Sequence, residues 1–441
     1  MKRDFWNTLV AWKNQPTRKP LLIQGARQVG KTWLLREFGR REFERLVLLD
    51  FAEDKNLAGF FSRDLKPDRI LTDLSVSLGR SIDLGTTLLV FDEVQRCPDA
   101  LTSLKYFHEA YPEAWICASG SLLGLGLSEQ DFPVGKVQRA WMRPMHFFEF
   151  LEALDETLLR DHLAECGARR IALAPPIHAK AFDLFKEFMI TGGLPEVVDR
   201  YRALRNDRPV AFRAARSLQK ELIASYLDDI AKHAGSVSAI KIAALFNNIP
   251  VQLARETAGI RKFFFKDAVP GSSNYATLES PLEWLVRAGL VHRIPICRTI
   301  RQPLKAYAES NAFMLYLFDT GILGAMLDLD PAVIHRYAFG QFKGFLAENT
   351  VLHELVCAGL DPVFTWRGKT AEIEFVIARG ENIVPVEVKS GLNTKAKSMK
   401  VYRDTYHPPH AVLLSGTGAH QFDNGLLHAP LYLAGTIIGV T

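Results

Sequence analysis

Residues 25–32 read Gly-Ala-Arg-Gln-Val-Gly-Lys-Thr, the spacing G-x-x-x-x-G-K-T, which suits a polyphosphate ligand. Gly25 and Gly30 let the backbone turn until successive N–H groups, through Ala26, Arg27, Gln28 and Val29, face one concavity. Lys31 would reach the β- and γ-phosphates, and Thr32 would offer its hydroxyl to Mg²⁺. Farther along, an apolar run ends in Asp92-Glu93. An acid in that place holds Mg²⁺, and a carboxylate beside it can orient and deprotonate a water. Together these residues predict binding and hydrolysis of Mg²⁺-ATP. Thr32 and Asp92 would hold the metal, with Lys31 on the phosphates and Glu93 as the base.

A second constellation lies in the last third of the chain. Glu348 falls in a stretch of helical periodicity, Phe345 to Leu355. From Ala371 to Ile377, period-two alternation puts Ile373, Phe375 and Ile377 on one face and Glu372 and Glu374 on the other. After a turn, Glu387 and Lys389 share one face of the returning strand, with Val386 and Val388 opposite. A helix carboxylate, two strand carboxylates and a lysine can therefore converge. Such a set binds Mg²⁺ through oxygen while the lysine positions a water; the competing reading is a plain hairpin with exposed acids. His407 and His410, split by two prolines, lack the helical or hairpin pairing of a metal site.

The first constellation needs a strand, a loop and a helix in succession. Leu21-Leu-Ile23 supplies the strand, and Trp33 to Phe38 an amphipathic helix whose N-terminal amides and dipole add to the cradle. Thr87 to Phe91 is continuously apolar, as expected of a parallel strand buried on both faces. A strand candidate at 46–51 and a helical stretch at 70–78 intervene. The strand ending at Asp92 is therefore not the first after the loop's helix. That order resembles the P-loop branch that inserts a strand between its two nucleotide elements and uses a glutamate base. A further run, Ala114 to Ala118, ends in Ser119-Gly120-Ser121. Either serine could sense the γ-phosphate, or the three residues simply close a turn. Lys136 and Arg139 follow, readable as a basic finger for a neighbouring subunit or as a solvated loop.

Eight stretches run in order from Pro20 to Gly391: PLLIQGARQVGKTWLLREFG, LLVFDEVQRCPDALTSLKYFHE, ICASGSLLG, FPVGKVQRAWMRPMHFFEFLEAL, GGLPEVV, LYLFDTGIL, KGFLAENTVLHELV and PVEVKSG. With them the chain resembles the prokaryotic AAA/STAND-like P-loop ATPases that carry a fused C-terminal PD-(D/E)XK-like domain of unknown function. The resemblance implies an α/β fold in three parts: a P-loop NTPase parallel sheet over 1–155, a helical connector with a winged-helix-like region over 156–305, and a PD-(D/E)XK nuclease-like α/β domain over 306–441. It implies ATP and Mg²⁺, with the nucleotide state coupled to the C-terminal module, and gives Glu348, Glu374, Glu387 and Lys389 the nuclease-like roles. The chain departs from that pattern at Glu374, where such nucleases usually carry aspartate. One more methylene moves the carboxylate by ~1.5 Å, a shift that matters to metal geometry.

The winged-helix reading rests on helical spacing at 240–246, a second helix after Pro250, a third at 278–288 and a strand at 290–295. Arg261, Lys262 and Lys266 could there face DNA phosphates, or the region could pack against protein. Three functions fit this layout: an ATPase switch, an ATP-controlled DNA nuclease, and a nucleotide-gated DNA- or protein-binding module with little turnover. A homo-oligomer is compatible with each.

Composition sets the outer bounds. A chain of 441 residues exceeds one ordinary core, and 48% hydrophobic content describes a globular protein. Charges interrupt every apolar run before it could span a bilayer, and the start, Met1-Lys-Arg-Asp-Phe-Trp, lacks a secretory leader's apolar core. Five scattered cysteines without a CxxC pair argue against a disulfide framework or zinc site and predict a cytoplasmic setting. A net charge of +5 permits a nucleic-acid partner without requiring one.

Overall fold

A computed structural model describes residues 1–121, 135–233, 236–255, 263–265, 268–269, 274–337, 343–391 and 396–440. The chain forms two compact units, Lys2–Arg143 with Arg287–Gly289, and Pro144–Val286 with Leu290–Thr441.

In the first unit the described residues form five strands: β1 (Leu21–Gln24), β2 (Arg45–Asp50), β3 (Thr87–Asp92), β4 (Trp115–Gly120) and β5 (Gln138–Trp141). Their order is β2-β3-β4-β1-β5, and every pairing is parallel. A strand, β4, lies between β1 and β3, as in the P-loop branch that the order of elements resembles, while the expected strand at 46–51 is the edge strand β2. Helices α1 (Phe5–Lys13), α2 (Lys31–Glu42), α3 (Pro67–Leu78) and α4 (Pro98–Ala110) accompany the sheet. All six residues of β3 are buried, the state of a central strand in a parallel sheet. Phe51, Phe61, Phe91 and Phe107 pack edge-to-face with centroids 5.5–6.2 Å apart, each pair adding ~0.5–1.5 kcal/mol beyond its buried area. This cluster seats Phe91, and with it the acids that follow. Because the strands run one way, the loop after β1, the acids ending β3 and the serines ending β4 emerge at one edge. The register agrees, with Phe91 opposite Ala118 and Ile23 opposite Ser119.

The second unit opens with helices α5 (Phe147–Ala153), α6 (Thr157–Arg169), α7 (Pro175–Thr191), α8 (Pro195–Leu204), α9 (Arg208–His233), α10 (Ser236–Arg255) and α11 (Tyr275–Arg287). A mixed sheet of eight strands follows among the described residues: β6 (Val291–Cys297), β7 (Ala308–Leu317), β8 (Val363–Arg367), β9 (Glu372–Arg379), β10 (Asn382–Lys389), β11 (Ala411–Ser415), β12 (Gln421–Asp423) and β13 (Leu426–Pro430), ordered β12-β13-β11-β10-β9-β8-β6-β7. Helices α12 (Thr320–Met326), α13 (Pro331–His335), α14 (Lys343–Cys357) and α15 (Lys397–Tyr406) complete it.

Gly192 ends α7 and Pro195 opens α8, the break predicted there. Pro250 was expected to start a new helix, yet α10 runs through it. Ile249 and Leu253 on either side are buried, and that burial outweighs the backbone bond the proline removes. The expected third helix and strand exist as α11 and β6. However, β6 pairs with both β7 and β8, so the anticipated wing is part of the eight-stranded sheet. Arg261, Lys262 and Lys266 lie outside the described residues. Among the described residues no helix is long and apolar enough to cross a membrane.

Candidate nucleotide site

The buried strand β1 delivers the chain to Gly25, where φ is +152°. A Cβ there would stand 2.1 Å from the carbonyl oxygen of Met142, and the Met142 N–H in turn donates to Gln24 O at 2.7 Å. Only glycine permits so close a pass beside the residue that follows β5. Gln28 and Gly30 also have positive φ, 66° and 95°, so the chain folds back over Ala26–Val29 before α2 begins at Lys31. No side chain caps α2 at Gly30, which leaves its first amides for an anion.

The loop's carbonyls are held from outside. Lys31 Nζ donates to Gly25 O at 3.0 Å and to Ala26 O at 2.9 Å, and Arg3 Nη1 donates to Val29 O at 2.7 Å. Lys31 is buried, and burial lowers its pKa to about 8 while the carboxylates of Glu93 and Asp92 pull the other way. The two acids are thus within electrostatic reach of the loop lysine, as the motif requires. Arg27 is exposed and Thr32 half-buried.

Asp92 is itself buried. Its Oδ1 accepts the Glu93 N–H at 3.1 Å and the Ser119 hydroxyl, while Oδ2 is buried without a hydrogen-bond partner among the described residues. An unmatched buried carboxylate oxygen is costly, and a hard cation is its natural partner. Asp92 therefore fits Mg²⁺. Glu93 sits in the left-handed region at φ +51°, an uncommon conformation for a glutamate, and its Oε2 accepts from Gln95 Nε2 at 2.5 Å.

The remaining expected residues scatter. The Ser119 hydroxyl is engaged by Asp92, and Ser121 is buried one residue beyond β4. Lys136 precedes β5, at the edge of the sheet opposite the loop, and pairs with Glu109 at 3.0 Å. Arg139 is exposed on β5, in register with Leu22. Sequence reasoning overlooked Arg3 and Gln95. Gln95 lies two residues past Glu93 and was within reach of inspection, whereas nothing local marks Arg3.

In the second unit, Glu374 and Glu387 are buried on neighbouring strands β9 and β10. Glu374 Oε2 accepts the Val388 N–H at 3.1 Å. Glu387 Oε1 pairs with Lys389 Nζ at 2.7 Å, and its Oε2 accepts the Met399 N–H at 3.1 Å, in the first turn of α15. Burial raises the Glu387 pKa, Lys389 opposes the rise, and Glu374 adds to it. Glu348, on α14, accepts from Tyr316 Oη at 3.2 Å. The carboxylates of Glu348, Glu374 and Glu387 do not close to within 4.8 Å of one another as a set. The structure thus brings Glu374, Glu387 and Lys389 together but does not gather the full expected metal shell.

Residues 17–151 match the family model described as an AAA domain. Residues 182–333 and 343–432 match two described as domains of unknown function, DUF8612 and DUF4143. No curated protein matches the chain. Among solved structures, a Walker-type ATPase of Pyrococcus abyssi is similar at 17% identity and a TM-score of 0.47, over 74% of this chain and 95% of that one. The Aeropyrum pernix ORC1 protein in complex with DNA shares 13% identity at a TM-score of 0.31, over 75% and 93%. AMPPCP-bound DnaA from Aquifex aeolicus shares 14% at 0.30, over 64% and 85%. The parallel sheet and the family match together make the first unit an AAA-type P-loop domain, the kind that binds ATP.

Proposed function

We propose that the chain binds Mg²⁺-ATP on the loop Gly25–Thr32, hydrolyses it with Glu93 as general base, and uses the nucleotide state to act on the second unit. The observation that carries this reading is Asp92, fixed by Ser119 and Glu93 on one oxygen and unmatched on the other. Asp92 Oδ2 and the Thr32 hydroxyl would hold the cation, which when bound neutralises charge on the β- and γ-phosphate oxygens. Lys31 exchanges the carbonyls of Gly25 and Ala26 for phosphate. Glu93, oriented by Gln95, takes the proton of the attacking water. Ser121 stands near enough in sequence to report the γ-phosphate. Arg139, exposed on the edge strand β5, is better placed than Lys136 to serve a neighbouring subunit in a homo-oligomer.

Steady-state ATP turnover, measured with and without DNA, tests the reading. Glu93→Gln should lower turnover about 10²–10⁴-fold with ATP binding retained, and Lys31→Ala should abolish binding. Unchanged hydrolysis in both variants rejects it. Stimulation by DNA would make nucleic acid the partner.

The meeting of Glu374, Glu387 and Lys389 supports a second reading, an ATP-controlled nuclease. Incubation with plasmid and RNA plus Mg²⁺ or Mn²⁺ tests it, and cleavage that survives Lys389→Ala excludes this site.

A further inference from the structure

We infer that Arg3 is a positioning residue for the phosphate-binding loop, holding the Val29 carbonyl outward so that the next amide stays aimed into the cradle. The inference rests on the reading of that loop as the ATP site.

Arg3 precedes α1 and is 7% exposed. Its Nη1 donates to Val29 O at 2.7 Å and its Nη2 to Arg143 O at 2.7 Å, carbonyls 26 and 140 residues away along the chain. A guanidinium presents its N–H groups in a rigid fork, so one cation fixes the separation of two backbone segments. Such charge-assisted bonds are about twice as strong as neutral ones.

The geometry of the peptide unit gives this contact its meaning. C=O and N–H lie in one plane and point in opposite directions. Fixing the Val29 carbonyl therefore fixes the Gly30 N–H, one of the amides that must converge on a phosphate. Lys31 holds the carbonyls of Gly25 and Ala26 in the same way, but it must release them to reach the phosphates. Arg3 lies outside the G-x-x-x-x-G-K-T stretch, so its hold on Val29 does not compete with the phosphates.

Its other bond has a consequence for signalling. Arg143 is the last residue of the first unit before the chain passes to the second, and the preceding carbonyl, that of Met142, abuts Gly25. Both ends of the loop are thereby tied to residues 142–143. A loop displaced by nucleotide would move the point where the chain leaves the unit.

Titration of wild type, Arg3→Lys, Arg3→Gln and Arg3→Ala with Mg²⁺-ATP, alongside steady-state kinetics, tests the role. Arg3→Ala and Arg3→Gln should weaken ATP binding about 10- to 100-fold, the loss of charge-assisted bonds. Their kcat at saturating ATP should stay within about threefold, because Arg3 touches no reacting atom. Arg3→Lys should recover part of the affinity, and millimolar guanidinium ion should restore part of it to Arg3→Ala. Wild-type affinity in Arg3→Ala or Arg3→Gln overturns the assignment, as does a loss that neither lysine nor guanidinium repairs. If Arg3→Ala does not fold, Arg3→Lys and Arg3→Gln decide by the same criteria. Wild-type protein that binds no ATP brings down the reading of the loop together with this role. Binding by wild type and variants alike removes the role alone.

Discussion

Two acidic sites of similar composition differ in what they leave open. At Asp92 one carboxylate oxygen is saturated by Glu93 N–H and Ser119, and the other is buried with no donor. At Glu387 the buried Oε1 also lacks an aligned hydrogen bond among the described residues, but it stands in an ion pair 2.7 Å from Lys389 Nζ, and Oε2 accepts the Met399 N–H, while Glu374 takes the Val388 N–H. The first arrangement is poorly satisfied by itself and improves when a cation arrives. The second has its charge paired within the protein and ties β10 to the start of α15. Each place has two carboxylates and a lysine. A cation already in contact with the open oxygen is what separates the brace from the site.

The sharpest way to break this contrast is to remove the lysine from the second site. Lys389→Met leaves Glu387, which is fully buried, without its cation. Stranding a buried charge costs ~3–5 kcal/mol in general; with Lys389 itself partly exposed, we expect about 2–3 kcal/mol in a urea unfolding curve. Glu387→Gln in the same background should restore most of it, since the amide oxygen still accepts from Met399. By contrast, Asp92→Asn should alter stability by less than ~1 kcal/mol while eliminating Mg²⁺-dependent ATP turnover. If Mg²⁺ or Mn²⁺ rescues the stability of Lys389→Met, the second site is a metal site and the contrast fails.

A smaller effect separates the two sites by pH. Lys31 in the free protein has its pKa lowered to about 8 by burial, and phosphate would hold it charged. The free protein therefore loses the required proton as pH passes 8, whereas the bound form retains it. Affinity for ATP should be level from about pH 7 to 8 and then fall by up to about tenfold per pH unit. At Glu387 burial raises the pKa, so ionising it costs the second unit stability as pH rises from the acid side. Isothermal titrations at pH 7, 8 and 9 measure the slope, and a level affinity across them would mean that Lys31 does not carry the phosphate charge.

The parallel strands and the loop were legible because buried apolar runs and G-x-x-x-x-G-K-T are local signals. β2, β3 and β4 lie within a residue or two of their expected places, and the ordering of Asp92 after an inserted strand follows from chain order alone. Pro250 misled because its local cost is overridden by the burial of Ile249 and Leu253, which no local pattern reveals. The acids at Glu374 and Glu387 were visible as alternation, but which hydrogen bonds saturate them depends on α15, a partner from elsewhere in the chain. Arg3 was illegible for the same reason, since its contacts reach residues 29 and 143.

The finest test of the contrast lies in Ser119, whose hydroxyl meets Asp92 Oδ1. If Asp92 is a metal ligand, Ser119 serves to turn its second oxygen outward, and the effect of losing it should appear in metal dependence. Ser119→Ala removes one hydrogen bond, worth ~0.5–1.5 kcal/mol and somewhat more to a charged group. ATP turnover at saturating Mg²⁺ should fall about three- to tenfold, and the Mg²⁺ concentration for half-maximal rate should rise by a similar factor. Were Ser119 instead a sensor of the γ-phosphate, the variant would lose rate at every Mg²⁺ concentration with no change in the half-maximal value. A titration of turnover against Mg²⁺ in this one variant therefore distinguishes a serine that sets the metal ligand from one that reads the nucleotide.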